Sequence, residues 1–335
     1  MRRRQAVAAV LLAAFTFTAC AKKEAPAPVA APETPKAKPF QVALLTPGPI
    51  SDAGWNAGAY EGLKAIEKEL GATISHVQVG SPSEYEEQFR AYASKGYALC
   101  FGHGFEFQDS AAVVAKEFPK TVFITTSGSK VGPNQAPIVF ELEQAAYLAG
   151  LVAGRMTKTA KAGMVGGKEI PSIASTFLAF EAGFKAGNPG GKATAVYTGS
   201  FEDVAGAKAA TLALADQKAD FIFHNADAAA LGVFKAATER GIYAFGSNKN
   251  QNDLAPSVLA SAVIDMTHAY VEAARLVKDG RFDGKPIRYG LSSKVISFVI
   301  NPALAGKIPA PVLSEVERTT KEIEDGRVIV PRGNF

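Results

Sequence analysis

The sequence predicts an α/β protein with two lobes, each a doubly wound parallel sheet, joined by a hinge of several strands. Strand-like apolar runs alternate with helix-like segments along residues 40 to 335, which is typical of parallel sheets with helices on both faces. With 335 residues, 47% of them hydrophobic, the chain is long enough for two domains of ordinary size.

The first 39 residues do not show this alternation. Residues 1–19 carry three arginines, then an apolar run, then small residues directly before Cys20, a pattern similar to a bacterial lipoprotein signal peptide. Residues 20–39 are rich in Ala, Pro and Lys, which predicts an extended tether after a lipidated Cys20. We therefore expect export to the cell envelope, with the domain held at a membrane by the lipid alone, in the periplasm or on the outer cell surface. With Cys20 lipidated, Cys100 is predicted to be a buried thiol outside any disulfide.

The N-terminal lobe is predicted from residues 40–142 together with residues 266–285. Its first strand includes the continuously apolar run Val42 to Leu45, as expected of a central strand covered on both faces, and the Pro-Gly-Pro of residues 47–49 ends it. The elements that follow are helices at 55–70, 83–95 and 108–118 and strands at 73–79, 97–102, 121–125 and 138–142.

The C-terminal lobe is predicted from residues 143–265 together with residues 286–335. Its predicted helices lie at 144–156, 172–186, 203–217, 228–240 and 312–324, and its strands at 161–165, 192–197, 220–224, 242–246 and 258–263. A helix at 266–279 and a strand near Ile287 complete the pattern. These last segments are expected to cross back between the lobes and to form the hinge.

Charge and motif content exclude several classes of function. Three of the 36 basic residues are Arg2, Arg3 and Arg4, which leaves 33 basic against 32 acidic residues and no basic block that would bind nucleic acid. The four histidines are scattered, so no metal site is predicted. The chain has no Gly-x-Ser-x-Gly elbow and no complete phosphate or dinucleotide loop, so we expect neither a cofactor nor a catalytic set.

Polar and aromatic residues follow several of the predicted strands, at the edge where open α/β sheets bind ligands. Each also has a structural interpretation, because Asp52, Asp109 and Asp227 stand where an acid caps a helix and Trp55 could simply pack. Phe180 lies in a helical stripe with Phe177 and Phe184 and taken alone is predicted to belong to a core. The strand-end candidates are Asp52, Trp55, Asn56, Phe105, Asp109, Asn225, Asp227, Ser247 and Asn248.

Six motifs together resemble the basic membrane protein family of lipoproteins, the substrate-binding components of purine and nucleoside ABC importers. The likeness covers essentially all of residues 40–335. The motifs are Asp52-Ala-Gly-Trp55-Asn56, Gly104-Phe-Glu-Phe-Gln-Asp109, Glu143-Gln-Ala-Ala-Tyr-Leu-Ala-Gly150, Phe180-Glu-Ala-Gly-Phe184, Ala219-Asp-Phe-Ile-Phe-His224 and Lys321-Glu-Ile-Glu-Asp-Gly326.

The resemblance implies a type I periplasmic-binding-protein fold, a ligand enclosed between the lobes and a monomer that works with ABC permease and ATPase subunits. It also implies that Trp55 and Phe180 stack on a purine-like base while Asp109 contacts the base edge. Acidic acceptors would favour a ligand rich in N–H donors and repel phosphorylated nucleotides. The polar residues expected to give selectivity are Asp52, Asn56, Asp109, Asn225, Asp227 and Asp265.

Two departures from the family pattern bear on the ligand. Gly246-Ser247-Asn248 stands where nucleoside binders of the family usually show Gly-Val-Asp, and Ile264, followed by Asp265, stands where they usually show a lysine. Loss of a charged hydrogen bond costs about 1.5 to 3 kcal/mol. The sequence therefore favours a free nucleobase over a nucleoside. A lipid-anchored receptor that feeds a signalling or chemosensory partner is the main alternative, and an exported α/β enzyme is a remote one.

Overall fold

The computed structural model describes residues 39–52 and 54–333. The predicted signal peptide, Cys20 and most of the tether lie outside these residues. Two sheets of six strands organise the described chain, and helices cover both faces of each sheet. The predicted fold class is confirmed. Among the described residues, no helix combines the length and the apolar character that a membrane span needs.

The first sheet has six parallel strands. Its strands in chain order are β1 (Gln41–Thr46), β2 (Thr73–Gln78), β3 (Leu99–Gly102), β4 (Val122–Thr126), β5 (Gln135–Phe140) and β11 (Ile287–Tyr289). They are arranged across the sheet as β11-β5-β4-β3-β1-β2. The helices of this lobe are α1 (Trp55–Leu70), α2 (Pro82–Ser94), α3 (Gln108–Glu117) and α8 (Met266–Lys278).

The second sheet has five parallel strands and one antiparallel edge strand. Its strands are β6 (Lys161–Gly166), β7 (Lys192–Tyr197), β8 (Phe221–Asn225), β9 (Tyr243–Asn248), β10 (Val258–Ile264) and β12 (Ile296–Ile300). They are arranged as β12-β10-β9-β8-β6-β7. The helices are α4 (Glu143–Met156), α5 (Pro171–Gly187), α6 (Val204–Asp216), α7 (Ala230–Arg240) and α9 (Ala310–Glu324).

Two details of the predicted organisation are wrong. The sequence predicts that residues 286–335 belong whole to the C-terminal lobe, but β11 pairs with β5 and so extends the first sheet. The edge strand β12 was not predicted, because a half-buried strand of five residues carries little periodic signal. It pairs antiparallel with β10. The chain enters the second lobe from the cleft, where the parallel strands of the second sheet end, so a strand that begins there runs in the opposite direction.

Within residues 39–333, as far as the structure describes them, the chain crosses between the lobes three times, so the hinge consists of several segments, as predicted. The crossings lie between β5 and α4, between β10 and α8, and between β11 and β12. Backbone hydrogen bonds join them: the Glu141 N–H donates to the Tyr289 carbonyl over 2.8 Å, and the Asp265 N–H donates to the Val295 carbonyl over 2.7 Å. These hydrogen bonds connect all three crossings to one another.

Glycines let α4 and α5 pack with their backbones in contact. Gly150 and Gly154 on α4 face Gly183 and Gly187 on α5, and a Cβ atom at Gly183 would overlap the carbonyl oxygen of Tyr147. Small residues four positions apart lie on one helix face, so the two pairs form a continuous flat seam. This seam fixes α5, whose first turn borders the cleft between the lobes.

We predict that Gly183→Ala lowers the free energy of unfolding by about 1 to 3 kcal/mol, because the added methyl group forces the two backbones apart. Urea denaturation of the purified domain would measure this. Gly306→Ala is the control, since an added Cβ there meets no atom within 4 Å. Equal stability of the two variants would show that the seam tolerates separation.

Candidate ligand-binding site

A cavity lies between the lobes, where the carboxyl ends of strands from both sheets meet. The residues that line it bound about 550 Å³ of space between their atoms, part of which is open to solvent. Residues of both lobes and of the crossings form its wall: Trp55, Gly104, Phe105, Glu106, Ser127, Phe140, Leu142, Glu143, Ile170, Ser172, Ile173, Thr176, Phe201, Asn225, Asp227, Asn248 and Ile264.

Trp55 forms an aromatic wall of this cavity and is held from behind by His103. The two rings stack with centroids 4.1 Å apart and an angle of 23° between planes, and Phe140 meets Trp55 edge-on at 6.1 Å. His103 is fully buried; burial lowers its pKa to about 3, so the ring is neutral. The Tyr270 hydroxyl lies 2.6 Å from His103 Nδ1, and His103 Nε2 lies 2.9 Å from the Trp55 carbonyl oxygen. The neutral ring can thus accept a hydrogen bond from the Tyr270 hydroxyl at Nδ1 and donate one from Nε2 to the Trp55 carbonyl oxygen. These two bonds fix the position of the tryptophan.

The predicted stacking partner Phe180 does not reach the cavity. Its side chain is 0% exposed and stacks on Phe223 at 5.2 Å, inside the core of the second lobe. The core stripe that its helical spacing indicates is therefore its actual position, and the predicted role in an aromatic pair is wrong. Phe201, half-buried in the loop between β7 and α6, lines the cavity instead. Sequence reasoning missed Phe201 because a single aromatic residue in a loop has no periodic pattern.

Asp52 acts as a cap for α1. Its carboxylate accepts backbone N–H bonds from Gly54 at 3.0 Å, Asn56 at 2.8 Å and Ala57 at 2.9 Å, and a fourth bond from Asn56 Nδ2 at 2.9 Å. Four donors occupy both of its oxygens, which is the capping alternative that the sequence left open. Asp52 thereby holds Trp55 and Asn56 at the edge of the cleft.

Asp109 lies away from the cavity, on the protein surface. Its side chain is 77% exposed and forms an ion pair with Lys130 at 3.4 Å. The predicted contact with a base edge is wrong, because the first turn of α3 points Asp109 to solvent. Its neighbours Phe105 and Glu106, in a short 3-10 helix, line the cavity.

The second lobe contributes three polar side chains that were predicted, namely Asn225, Asp227 and Asn248. Asp227 and Asn248 adopt positive φ angles of 47° and 68°, and the Asn248 amide donates to Asp227 Oδ1 over 3.3 Å. Such strained backbone at a cavity is typical of a functional site. Ser127, from the first lobe, also lines the cavity at φ 61°.

Ser247 and Asp265 do not line the cavity. Ser247 is buried within β9 beneath it, and its hydroxyl has no hydrogen-bond partner among the described residues. Asp265 is exposed and caps α8 by accepting the His268 N–H at 3.0 Å. The predicted ligand contact of these two residues is wrong for two different reasons: Ser247 is buried inside β9, and Asp265 follows the end of β10 as the exposed cap of α8.

A second chamber adjoins the cavity and shares four of its residues. It holds about 910 Å³ of empty space, including its open mouth. Asn56 lines this chamber with its Oδ1 atom buried and, among the described residues, without a hydrogen-bond partner. The four shared residues are Trp55, Glu106, Phe201 and Asp227.

Acidic groups of the two lobes face each other where the chambers join. Removal from solvent, then the nearby charges of Asp52 and Glu106, raise the pKa of Asp227 to about 8, against a smaller opposing effect of Asn248. Desolvation raises the pKa of the Glu106 carboxyl, although a hydrogen bond from its own backbone and then the charge of Lys168 oppose this rise. At neutral pH the Asp227 carboxyl therefore holds a proton and can both donate and accept a hydrogen bond.

A cavity between two α/β lobes, lined by aromatic and polar side chains and bordered by the segments that join the lobes, is typical of a solute-binding protein. The model of the Bmp family, described as the PnrA-like substrate-binding proteins of ABC transporters, matches residues 40–331. The chain belongs to this family. Its members are extracytoplasmic solute-binding components of ABC importers and not enzymes.

Relatives agree with this assignment. The chain is 28% identical over 306 residues to the ABC transporter nucleoside-binding protein BmpA of Lactococcus lactis, which covers 84% of this chain and 86% of the relative. It is 26% identical over 293 residues to a purine-binding protein of Brucella abortus, with coverages of 86% and 82%.

Solved structures show the same fold. A solute-binding protein of an ABC transporter from Conexibacter woesei is 25% identical with a TM-score of 0.71, over 88% of this chain and 99% of that one. One from Aeropyrum pernix is 22% identical with a TM-score of 0.73, over 88% and 94%.

We predict that Asp227→Asn stabilises the ligand-free protein at about pH 8 and has no such effect near pH 4. The folded chain keeps the Asp227 proton up to about pH 8, whereas the unfolded chain releases it near 3.8. Between these values the unfolded state binds fewer protons, so the free energy of unfolding falls as pH rises, and the amide removes this loss.

Urea denaturation across this pH window would measure the difference between wild type and variant. Asp109→Asn is the matched control, since that carboxylate is exposed and its surface ion pair contributes little. A gain from Asp227→Asn that is independent of pH would contradict the proton linkage.

Proposed function

We propose that this protein captures a purine-type ligand in the cavity between its lobes and presents it to the permease and ATPase subunits of an ABC importer. A free nucleobase is the favoured ligand. The observation that carries the proposal is the group of aromatic side chains in the wall of the cavity, namely Trp55, Phe105, Phe140 and Phe201, beside the polar side chains that also line it.

Flat aromatic ligands suit this wall best. Stacking on an aromatic side chain contributes about 1 to 3 kcal/mol per base and depends little on the substituents of the ring. Trp55 is already held by His103, so little conformational entropy is lost when a ligand stacks on its free face. The pairing proposed here is Trp55 with Phe201, in place of Trp55 with Phe180.

Polar groups then select among flat ligands. Asp227 can donate and accept at neutral pH, and the Asn225 and Asn248 amides offer both functions as well. A neutral heterocycle with alternating N–H donors and ring acceptors, such as adenine or guanine, satisfies such a set. Glu106 and Asp52 place negative charge at the cleft and disfavour a phosphorylated ligand.

The preference for a base over a nucleoside rests on two wall residues. Asn248 presents an amide and Ile264 an aliphatic group to the cavity, so these two positions supply neither a carboxylate for sugar hydroxyls nor a cation. The names of the relatives from Lactococcus lactis and Brucella abortus support nucleosides and purines as the ligand class.

Ligand entry requires the lobes to separate. A Cβ atom at Gly54 of the first lobe would lie 3.8 Å from Cα of Asp227 in the second, so the cleft walls are in contact. Glu61 on α1 and Lys249 after β9 form a further ion pair between the lobes at 2.7 Å. The hinge therefore opens to admit ligand and closes over it.

We predict that the purified domain, refolded to remove bound ligand, binds adenine or guanine more tightly than the matching nucleosides and nucleotides in calorimetry. Phe201→Ala is expected to weaken binding about tenfold or more through lost stacking. Phe118→Ala is the matched control, because Phe118 is also half-buried but lies at the opposite end of the first sheet.

Two results would count against the proposal. A nucleoside that binds a hundredfold tighter than its base would show that the sugar is recognised by groups other than those assigned here. Binding that is unaffected by both Phe201→Ala and Trp55→Ala would rule out the aromatic wall as the ligand platform.

The anchor is a separate proposal, supported by the signal-like residues 1–19 and the tether composition of residues 20–39. We predict that Cys20→Ala yields a domain that no longer partitions into detergent but binds ligand with unchanged affinity, because Cys20 precedes the folded lobes. Detergent-phase partitioning of cell extracts measures the first effect and calorimetry the second. A mutant that still partitions like wild type would exclude lipidation at Cys20.

A further inference from the structure

Glu143 is a buried acid at the first crossing between the lobes, and the site described so far leaves it without a role. It is the first residue of α4, its side chain is 5% exposed, and it lines the ligand cavity. Burial raises the pKa of its carboxyl, although Ser175 opposes the shift by donating a hydrogen bond to Oε1 over 2.6 Å. A carboxylate has about four acceptor positions, so one bond from Ser175 leaves capacity for a ligand.

Ser175 links this acid to residues 328–333, which we call the strap. The Ser175 hydroxyl donates to Glu143, and its oxygen accepts the Gly333 backbone N–H at 2.9 Å. Ser175 itself does not line the ligand cavity, although its neighbours Ser172 and Thr176 do. The Ser175 hydroxyl therefore acts as a donor to Glu143 and as an acceptor from the strap.

The strap also contacts the hinge. Arg332 donates to Glu141 over 3.3 Å, and Glu141 accepts from Gln144 over 2.8 Å. Gln144 in turn accepts the Leu291 N–H at 2.7 Å, which joins the first and third crossings. The strap thus meets the point where two of the three crossings are bonded together.

A second cavity of about 590 Å³ lies between the strap and the hinge. Glu143 belongs to its wall as well as to the wall of the ligand cavity. The apolar side chains of Val328 and Val330 cover the far side of this second cavity, together with Ile323 of α9. The Glu143 side chain therefore lies between the cavity next to the strap and the ligand cavity.

We propose that the Glu143 carboxylate is a ligand-binding group of the cavity, and that Ser175 and the strap position it. The proposal rests on the proposed function for its ligand, and it adds an acceptor at the hinge side of the site. A polar N–H group of the bound heterocycle would donate to Glu143, opposite the polar residues of the second sheet. Ser175 and Gly333 are positioning residues, because they act on the ligand only through Glu143.

Calorimetry with adenine and guanine tests the binding role. Glu143→Gln should weaken binding about tenfold, the expected effect of losing a hydrogen bond to a charged group. Glu315→Gln is the control, since Glu315 pairs with Arg155 on the outer side of the second lobe. If the Glu143→Gln variant does not fold, Glu143→Asp is used in its place. Unchanged affinity in a folded Glu143 variant overturns the binding role.

A double-mutant cycle tests the positioning role. Ser175→Ala and removal of residues 328–335 should each weaken binding about threefold, and the combination no more than either alone, because both act through the same hydrogen-bonded chain. Ser110→Ala is the control for the Ser175→Ala variant, since the Ser110 hydroxyl donates a hydrogen bond to the Pro82 carbonyl oxygen within the first lobe. Additive losses would show that the strap does not act through Ser175.

A measurement without ligand keeps this inference separate from the proposed function. The charged neighbours that act on Glu143 are Arg332, which lowers its pKa, and Glu141, which raises it. Ser175→Ala and Arg332→Gln should therefore each raise the Glu143 pKa further, as followed by carbon NMR of labelled glutamate with Glu143→Gln for assignment. If no purine binds but these shifts occur, the ligand class fails and the positioning stands. If the Glu143 pKa is unchanged in both variants, the positioning is overturned.

Discussion

The hydrogen bonds that Asp52 accepts at the start of α1 are the constraint on which the site depends. They close the Pro-rich loop after β1 and begin α1 at Trp55, so the indole meets the cavity on one face and His103 on the other. His103 can support the indole only as a neutral ring, and complete burial ensures this. One capped helix start and one buried imidazole therefore convert a loop, which is ordinarily mobile, into a rigid wall. Rigid walls matter for affinity because less order is lost on binding.

Electrostatics shape the opposite side of the cleft. When the lobes are closed, Asp227 lies near Asp52 and Glu106, and such like charges would separate the lobes if all three were ionised. Protonation of Asp227 relieves this repulsion at neutral pH, and a ligand that donates N–H groups would relieve it further. The proton on Asp227 and such a ligand thus stabilise the closed state for the same reason, because each reduces the repulsion between the acidic groups of the two lobes. Closure with an empty cavity becomes less favourable as pH rises, because ionisation of Asp227 restores the repulsion between the lobes.

The fold was largely predictable, and the site only in part. Alternating apolar runs locate the strands and helices of both lobes because parallel strands buried on two faces leave a strong signal, as Val42 to Leu45 of β1 do. Strand ends place Asn225, Asp227 and Asn248 at the cavity for the same reason. Helical phase is harder: Asp109 and Phe180 sit on helices near the cleft, yet one turns to solvent and the other to the core. Phe201 and Glu143 were not assigned, since a loop aromatic and a hinge acid acquire their positions only from tertiary packing.

The same comparison explains why the ligand groups come from the segments that connect regular elements. Phe180 packs in the core because α5 buries an apolar stripe against the second sheet. A side chain buried in this stripe cannot also face the cavity. Phe201 does not belong to a buried helical stripe, and the loop that carries it leads from the end of β7 directly into the cleft. Glu143 and Ile264 occupy crossings, where the chain leaves one sheet for the other and its side chains meet both lobes. A hinge made of several crossings therefore contributes to recognition as well as to motion, because any ligand that contacts it also contacts the element whose rotation closes the cleft.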